Sequence, residues 1–248
     1  RGRYPRRAMR LAFTSNHDEN SWSGSEFARL GAAREAMAVF TFVVPRGLPL
    51  VYTGQEVGYD HSFAFFDRDP IPADRYVAND FTALYRRLAA LRHAHPALSA
   101  GESGAEMVEI RNNAEDCLMT FVRETAGDRV VAVMNLSPYT IQAVYDTGVY
   151  AGAYTDAVTG ARYELPPRVD EIMAPRSYRI LVRCRPLRRG GGAVRRRSGA
   201  RGGARPPIAV RGLLSLSLVF GCARRYSVSA ETNLAVCLCA RLLVPLPL

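Results

Sequence analysis

The feature that most limits what this chain can fold into is a change of hydrophobic period near Ala100. Before it, apolar side chains at helical spacing alternate with short strand-like runs; after it, they come in short β-type runs broken by turn residues. Residues 9–15 read as a short buried strand, and the polar cluster Asn16-His17-Asp18-Glu19-Asn20 reads as a loop after it. Ser23-Gly24-Ser25-Glu26 has capping-box spacing, and a helix is expected from Phe27 to about Val44, stopped by Pro45. Leu48–Tyr52 is a second short strand running into Thr53-Gly54-Gln55-Glu56. Phe81, Leu84, Tyr85, Leu88 and Leu91 then mark a helix over about 75–93, closed by Pro96. Strand, helix, strand, helix with short connections predicts a βα repeat, whose active residues gather at the strands' C-terminal ends.

From Ala100 onward six β segments are expected, at 107–111, 117–124, 129–135, 141–145, 162–165 and 177–182. Asn112-Asn113, Gly127-Asp128, Ser137-Pro138, Thr159-Gly160 and Pro166-Pro167 punctuate them. Such a pattern suits a small antiparallel β-sandwich. The chain therefore divides into a βα part over 1–99, a sandwich over 100–184 and a tail over 185–248.

Charge separates the tail from the rest. Residues 1–184 hold 21 Arg against 22 Asp and Glu, whereas 185–248 hold 12 Arg against the single Glu231, so the net +10 is a property of the tail. A body this neutral has no basic stripe for nucleic acid, and nucleic-acid binding would rest on the tail alone. The arginine-, glycine- and proline-rich stretch after Cys184 reads as disordered, and its abrupt loss of acidic residues is what a shifted reading frame of GC-rich DNA would give. No apolar run reaches the roughly 18 residues of a membrane helix. Five cysteines without a CxxC pair indicate neither a disulfide framework nor a zinc site. The sequence begins without Met or an apolar leader, and compartment cannot be read from it.

Asn16-His17-Asp18-Glu19 is the densest polar cluster at a strand end. Taken alone, Asn16 and Asp18 are as well explained by an Asx turn leading to a helix. The cluster has company in Phe13–Asn20, then Gly47-Leu48-Pro49-Leu50-Val51-Tyr52-Thr53-Gly54-Gln55-Glu56-Val57-Gly58, then Phe65-Phe66-Asp67-Arg68-Asp69-Pro70-Ile71. In order and spacing these segments resemble the last third of an α-amylase-family glycoside hydrolase barrel (glycoside hydrolase family 13). There the seventh barrel strand ends in His-Asp and the eighth carries Gly-x-Pro-x-x-x-x-Gly-x-Glu. Asn135-Leu136-Ser137 and the strand near Tyr178–Val182 resemble the β-sandwich that follows that barrel, so the resemblance covers roughly residues 4–183.

The resemblance implies the last two βα units of a (β/α)8 TIM barrel, a small antiparallel β-sandwich, and an α-glucan or maltooligosaccharide substrate. It places Asp18 on the family's third catalytic carboxylate, which helps distort the sugar and stabilises transition-state charge. It places His17 on the residue that hydrogen-bonds sugar hydroxyls in the same subsite. Glu56 falls on the family pattern with a structural role beneath the site. Retention of configuration requires a nucleophilic carboxylate and an acid on either side of the scissile bond; the family supplies them from strands four and five, which would lie upstream of Arg1. The expectation is a polypeptide that is catalytically inactive alone and leaves open sheet edges.

No cofactor is implied for this chain and no metal ligand is assignable in it; the resemblance leaves calcium possible in the full-length enzyme, since relatives bind it mostly through a domain inserted early in the barrel. Asp67, Arg68 and Asp69 read more simply as an exposed ion-paired triplet than as substrate contacts. Phe63, Phe65 and Phe66 are read either as sugar-stacking groups or as loop packing. His93 and His95 read as surface or capping residues. The reading from another functional class is a non-catalytic carbohydrate-binding or interaction module built on residues 100–183, with the barrel remnant as a degenerate scaffold. Hydrolase, transglycosylase and isomerase members share these motifs, so the reaction outcome stays open, as does oligomeric state.

Overall fold

The computed structural model describes Pro5 and residues 8–184; the expectations for the tail lie outside the described residues. β1 (Arg10–Ala12) pairs in parallel with β2 (Gly47–Pro49), with Arg10 opposite Gly47 and Ala12 opposite Pro49. Three helices connect them: α1 (His17–Ser23), α2 (Glu26–Leu30) and α3 (Arg34–Val43). Two differences from expectation stand here. The polar cluster after β1 is the first turn of α1 rather than a loop, because Asn16 Oδ1 accepts the Glu19 amide at 2.7 Å and caps the helix. The helix expected from Phe27 is split, because Gly31 adopts φ +49° and a 3₁₀ turn intervenes before α3. The cap of α2 is Ser25, whose Oγ accepts the Ala28 amide at 3.2 Å, so Glu26 is freed to point inward.

β1 is not buried as expected. It carries Leu11 at 56% exposure, with Met9 just before it at 55%, because β1 and β2 pair only with each other among the described residues and nothing there covers that face. After β2 the chain turns through Gln55–Val57 and a long loop into α4 (Asp80–Ala94). The helix starts at Asp80 rather than 75, where Asn79 and Thr82 cap each other's backbone amides.

Eight strands follow: β3 (Val108–Glu109), β4 (Leu118–Thr125), β5 (Asp128–Asn135), β6 (Ile141–Asp146), β7 (Gly152–Asp156), β8 (Arg162–Leu165), β9 (Arg168–Met173) and β10 (Tyr178–Cys184). Six form an antiparallel sheet ordered β3-β4-β5-β10-β7-β8, while β6 pairs with β9. The two strands missed by sequence are β7, with glycine, threonine and aspartate, and β9, where Arg168, Asp170 and Glu171 break up the apolar residues.

The six-stranded sheet is covered on both faces. Leu118, Val122, Val131, Val133 and Leu181 meet Ala143, Tyr145, Val169 and Met173 from the β6–β9 pair. On the other face Phe121, Val130, Ala132, Met134 and Ile180 join one core with Val39, Phe42, Leu84 and Leu88 of α3 and α4. Cover on both faces explains why Val130–Met134 is continuously apolar instead of alternating.

Arg123 is the polar element of that core. Fully buried, it donates from Nε to Ala105 O at 3.0 Å, from Nη1 to Val43 O at 3.0 Å and Val44 O at 3.1 Å, and from Nη2 to Ser99 O at 3.3 Å. Burial pushes its pKa down to about 10, aided by the nearby Arg92. Arg92 Nη1 donates to Phe42 O at 2.9 Å and Nη2 to Gly47 O. Two guanidinium groups thus satisfy carbonyls at the C-terminal end of α3, where the helix dipole favours cations. Gly104 is required beside them, because a Cβ there would collide with the Ser99 carbonyl.

Candidate functional site

The carboxyl ends of the parallel strands β1 and β2 lie side by side, so the segments following them are brought together. A buried triad fixes the two ends. Thr14 Oγ1 donates to Glu26 Oε2 at 2.7 Å, and Gln55 Nε2 donates to Thr14 Oγ1 at 2.7 Å and also to Glu26 Oε2. Burial raises the Glu26 pKa above its ordinary value, the hydrogen bonds from Thr14 and Gln55 opposing that rise in part. Arg29 adds a brace, donating from Nη2 to Thr14 O at 2.7 Å and from Nε to Gly24 O at 3.1 Å, with Nη1 3.5 Å from Glu19. Gly54 supplies φ +87° at the turn that presents Gln55, a conformation side chains with a Cβ resist.

Above this base His17 and Asp18 occupy the first turn of α1 with their side chains 68% and 55% exposed. His17 Nε2 lies 3.6 Å from Asp18 Oδ2, so the neighbours sit close rather than diverging. A carboxylate in the first turn of a helix is favoured by the dipole, and its exposure leaves both oxygens available to a ligand.

The loop after β2 folds over α1. Asn20 is its anchor: its Nδ2 donates to His61 O at 2.9 Å and its Oδ1 accepts the Phe63 amide at 2.7 Å. Ser25 Oγ donates to Asp60 Oδ1. Asp69 accepts from the Ala64 amide at 2.9 Å and contacts His61 Nε2 at 2.7 Å; the amide first and His61 second hold its pKa below the ordinary carboxylate range. Asp69 therefore pairs with a histidine within the loop, a hydrogen-bonding partner that the triplet 67–69 does not announce.

The aromatic residues divide. Phe63 is buried, its ring meeting those of Tyr52, Tyr59 and His61 at centroid distances of 6.0, 6.0 and 5.0 Å, which is loop packing. Phe65 and Phe66 are exposed, and Phe65 stacks on His17 at 5.9 Å and 28°. Glu56 lies in the turn after Gly54; its Oε1 accepts from Tyr76 Oη at 2.6 Å, which raises the Tyr76 pKa, and its backbone carbonyl accepts from Thr82.

His95 is the C-cap of α4, as the capping reading has it, but it is buried rather than on the surface, with Nδ1 2.7 Å from Asp128 Oδ1, while Asp128 Oδ2 accepts the Ala97 amide at 2.8 Å. Among the described residues no group of three or more His, Cys, Asp or Glu is placed to hold a metal, and no helix is long and apolar enough to cross a membrane. Sequence reasoning missed Thr14, Gln55 and Asn20, whose roles depend on contacts 12 to 43 residues apart. It read Glu26 as a cap, and only its burial reveals the triad.

Comparison with known proteins follows from this geometry. The family model "Alpha amylase, C-terminal all-beta domain" matches residues 110–166, which run from just after β3 to just past β8. Among solved structures, a maltogenic α-amylase from Thermotoga neapolitana is similar with a TM-score of 0.59 at 21% identity, covering 73% of this chain and 42% of that one. An α-amylase from Lactobacillus plantarum is similar with a TM-score of 0.54 at 18% identity, covering 73% and 39%. A protein from Thermus thermophilus reaches 0.51 at 22% identity, covering 73% and 37%. No curated protein matches the chain at the sequence level. The likeness to the solved structures is one of fold, and the chain spans about two fifths of the length of the first of them. The chain thus resembles the C-terminal part of α-amylase-family proteins both in its all-β region and in its fold.

Proposed function

We propose that this chain is the C-terminal part of a retaining α-amylase-type glycoside hydrolase that cleaves α-glucosidic bonds in glucans or maltooligosaccharides. Residues 1–99 form the last two βα units of its (β/α)8 barrel and residues 100–184 its C-terminal sandwich. The observation that carries the reading is the placement of His17 and Asp18 at the mouth of β1, beside the Gly54-Gln55-Glu56 turn at the mouth of β2, with a buried Thr14–Glu26–Gln55 link between the two ends.

In that role Asp18 supplies a fixed negative charge beside an oxocarbenium-like transition state, and His17 donates to sugar hydroxyls whose hydrogen bonds strengthen as the ring flattens. Neither forms a bond to the sugar. The nucleophile and the acid belong to barrel strands outside this sequence, so the 248-residue chain by itself hydrolyses nothing. The shared core means that a binding or interaction module built on residues 100–183 would need the barrel remnant as its scaffold: cut from α3 and α4, it would expose Phe121, Ala132, Met134 and Ile180 together.

The test is to read the gene upstream of Arg1 and to express the longer product. The reading expects strands ending in Arg-x-Asp and in Glu, starch hydrolysis by the longer enzyme and none by this chain. It also expects a fall of at least about 100-fold in kcat for Asp18→Asn with little change in KM, as for a charge needed mainly in the transition state. Starch hydrolysis by the 248-residue chain, or an unchanged kcat in Asp18→Asn, overturns it.

A further inference from the structure

The described surface carries two kinds of exposed apolar patch, and they differ in chemistry. Met9, Leu11, Leu48 and Val51 are aliphatic, lie on or beside β1 and β2, and suit continuation of a protein core. Trp22 and Phe66, at 67% and 83% exposure, and the half-covered Phe65 are purely aromatic and lie on α1 and the loop that folds over it. Their centroids are 5.3 Å apart for Trp22–Phe65, 4.8 Å for Phe65–Phe66 and 6.4 Å for Trp22–Phe66, at interplanar angles of 42°, 75° and 73°, so the three rings form one contiguous aromatic surface whose rings are tilted to one another rather than coplanar. Phe65 carries that surface onto His17.

We propose that Trp22, Phe65 and Phe66 form a stacking platform for the face of a neutral pyranose ring, holding the sugar next to the one that His17 and Asp18 contact. The inference rests on the reading of His17 and Asp18 as sugar-contacting residues. A pyranose presents a flat, weakly positive C–H face, which the negative face of an aromatic ring attracts, and hydroxyl groups around its rim. Here the complementary rim is polar: His17 and Asp18 on one side, Asp67 and Arg68 following Phe66 in the chain. Three rings are far short of the roughly 800 Å² per partner that a stable protein interface buries, whereas they match a single sugar residue or two. The rings are held before any ligand arrives, because Asn20 and the Asp69–His61 pair fix the loop, so little ordering is required on binding.

Trp22 is the only tryptophan among the 248 residues, so its emission reports on the platform alone. The full 248-residue chain is titrated with maltoheptaose and, separately, with cellohexaose, following Trp22 fluorescence. The platform predicts a saturable change, insensitive to added salt because the ligand is uncharged, and about 3- to 10-fold weaker in each of Phe65→Ala and Phe66→Ala. Phe66 touches no core residue cluster, so its removal leaves the fold in place. A saturable response to cellohexaose alone, lost in Phe66→Ala, keeps the platform and removes the α-glucan reading. The absence of response to both sugars, while the longer enzyme hydrolyses starch, overturns the platform and leaves that reading standing. A response equally strong in both alanine variants, or a shift that follows protein concentration without sugar, also overturns the platform.

Discussion

Two sheets in this molecule use the same residue types to opposite effect. In β5 every side chain from Val130 to Met134 is buried; in β1 and β2, Leu11 and Leu48 stand 56% and 39% exposed. β5 has a hydrogen-bonded neighbour on each side and packed layers on each face, whereas β1 and β2 have only each other among the described residues. The same apolar residue type is therefore buried only where neighbouring strands and packed layers surround it. The contrast separates a sheet covered on both faces, one of them by α3 and α4, from a strand pair whose apolar side chains stay open among the described residues.

The sharpest way to break the comparison is at the seam between the halves. Arg123→Met keeps the volume but leaves the carbonyls of Val43, Val44, Ser99 and Ala105 without their donor; it should cost on the order of 4 kcal/mol, read as a lower urea midpoint. Retained stability would show that the two halves are held by apolar contact alone. Next in size, Leu181→Ala should cost about 2–5 kcal/mol, against roughly 0.5 kcal/mol or less for Leu11→Ala. The same Leu11→Ala change, made in a longer chain that completes the barrel, should rise to the core value; if it does not, β1 is an exposed edge by design.

A smaller effect comes from Glu26. Its folded pKa is raised by burial, so the folded chain holds that proton more tightly than the unfolded one. The contribution is fully present below the ordinary value of 4.5 and is lost as pH rises through the raised folded value. Glu26→Gln should flatten the dependence of urea midpoint on pH as pH rises from 4.5 through the raised folded value, and an unchanged slope would mean that folding does not raise it. Smallest of all, Arg168→Ala removes an ion pair to Asp146 whose partners are both more than 60% exposed, and should shift stability by no more than about 0.5 kcal/mol.

Much of this was legible in the sequence, and the limits have physical causes. The change of period at Ala100 placed α4 and six of the eight later strands, because buried strands and a one-sided helix leave strong periodic signals. β7 and β9 escaped because a short strand with polar side chains resembles a loop. The cluster His17-Asp18 was visible as a motif and Asn16 as a turn-forming residue leading to a helix, but not that the helix begins at His17 itself. Thr14, Glu26 and Gln55 are ordinary letters until the chain brings them within hydrogen-bond reach. His95 was legible as a residue capping α4, but its burial was not, because its partner Asp128 is 33 positions away.

The Arg123 clamp also bears on how the chain responds to its surroundings. One side chain gathers three separate stretches of backbone, at 43–44, 99 and 105, much as a covalent staple would. It does so without sulfur, so the seam keeps its strength whether the solution is oxidising or reducing, and thiol reagents have no purchase on it. Its weakness is chemical mimicry. Guanidinium ion is the head group of the clamp, free in solution and able to occupy the same carbonyls. Guanidinium chloride should therefore part the two halves at a lower concentration, relative to urea, than the usual roughly twofold difference in potency accounts for.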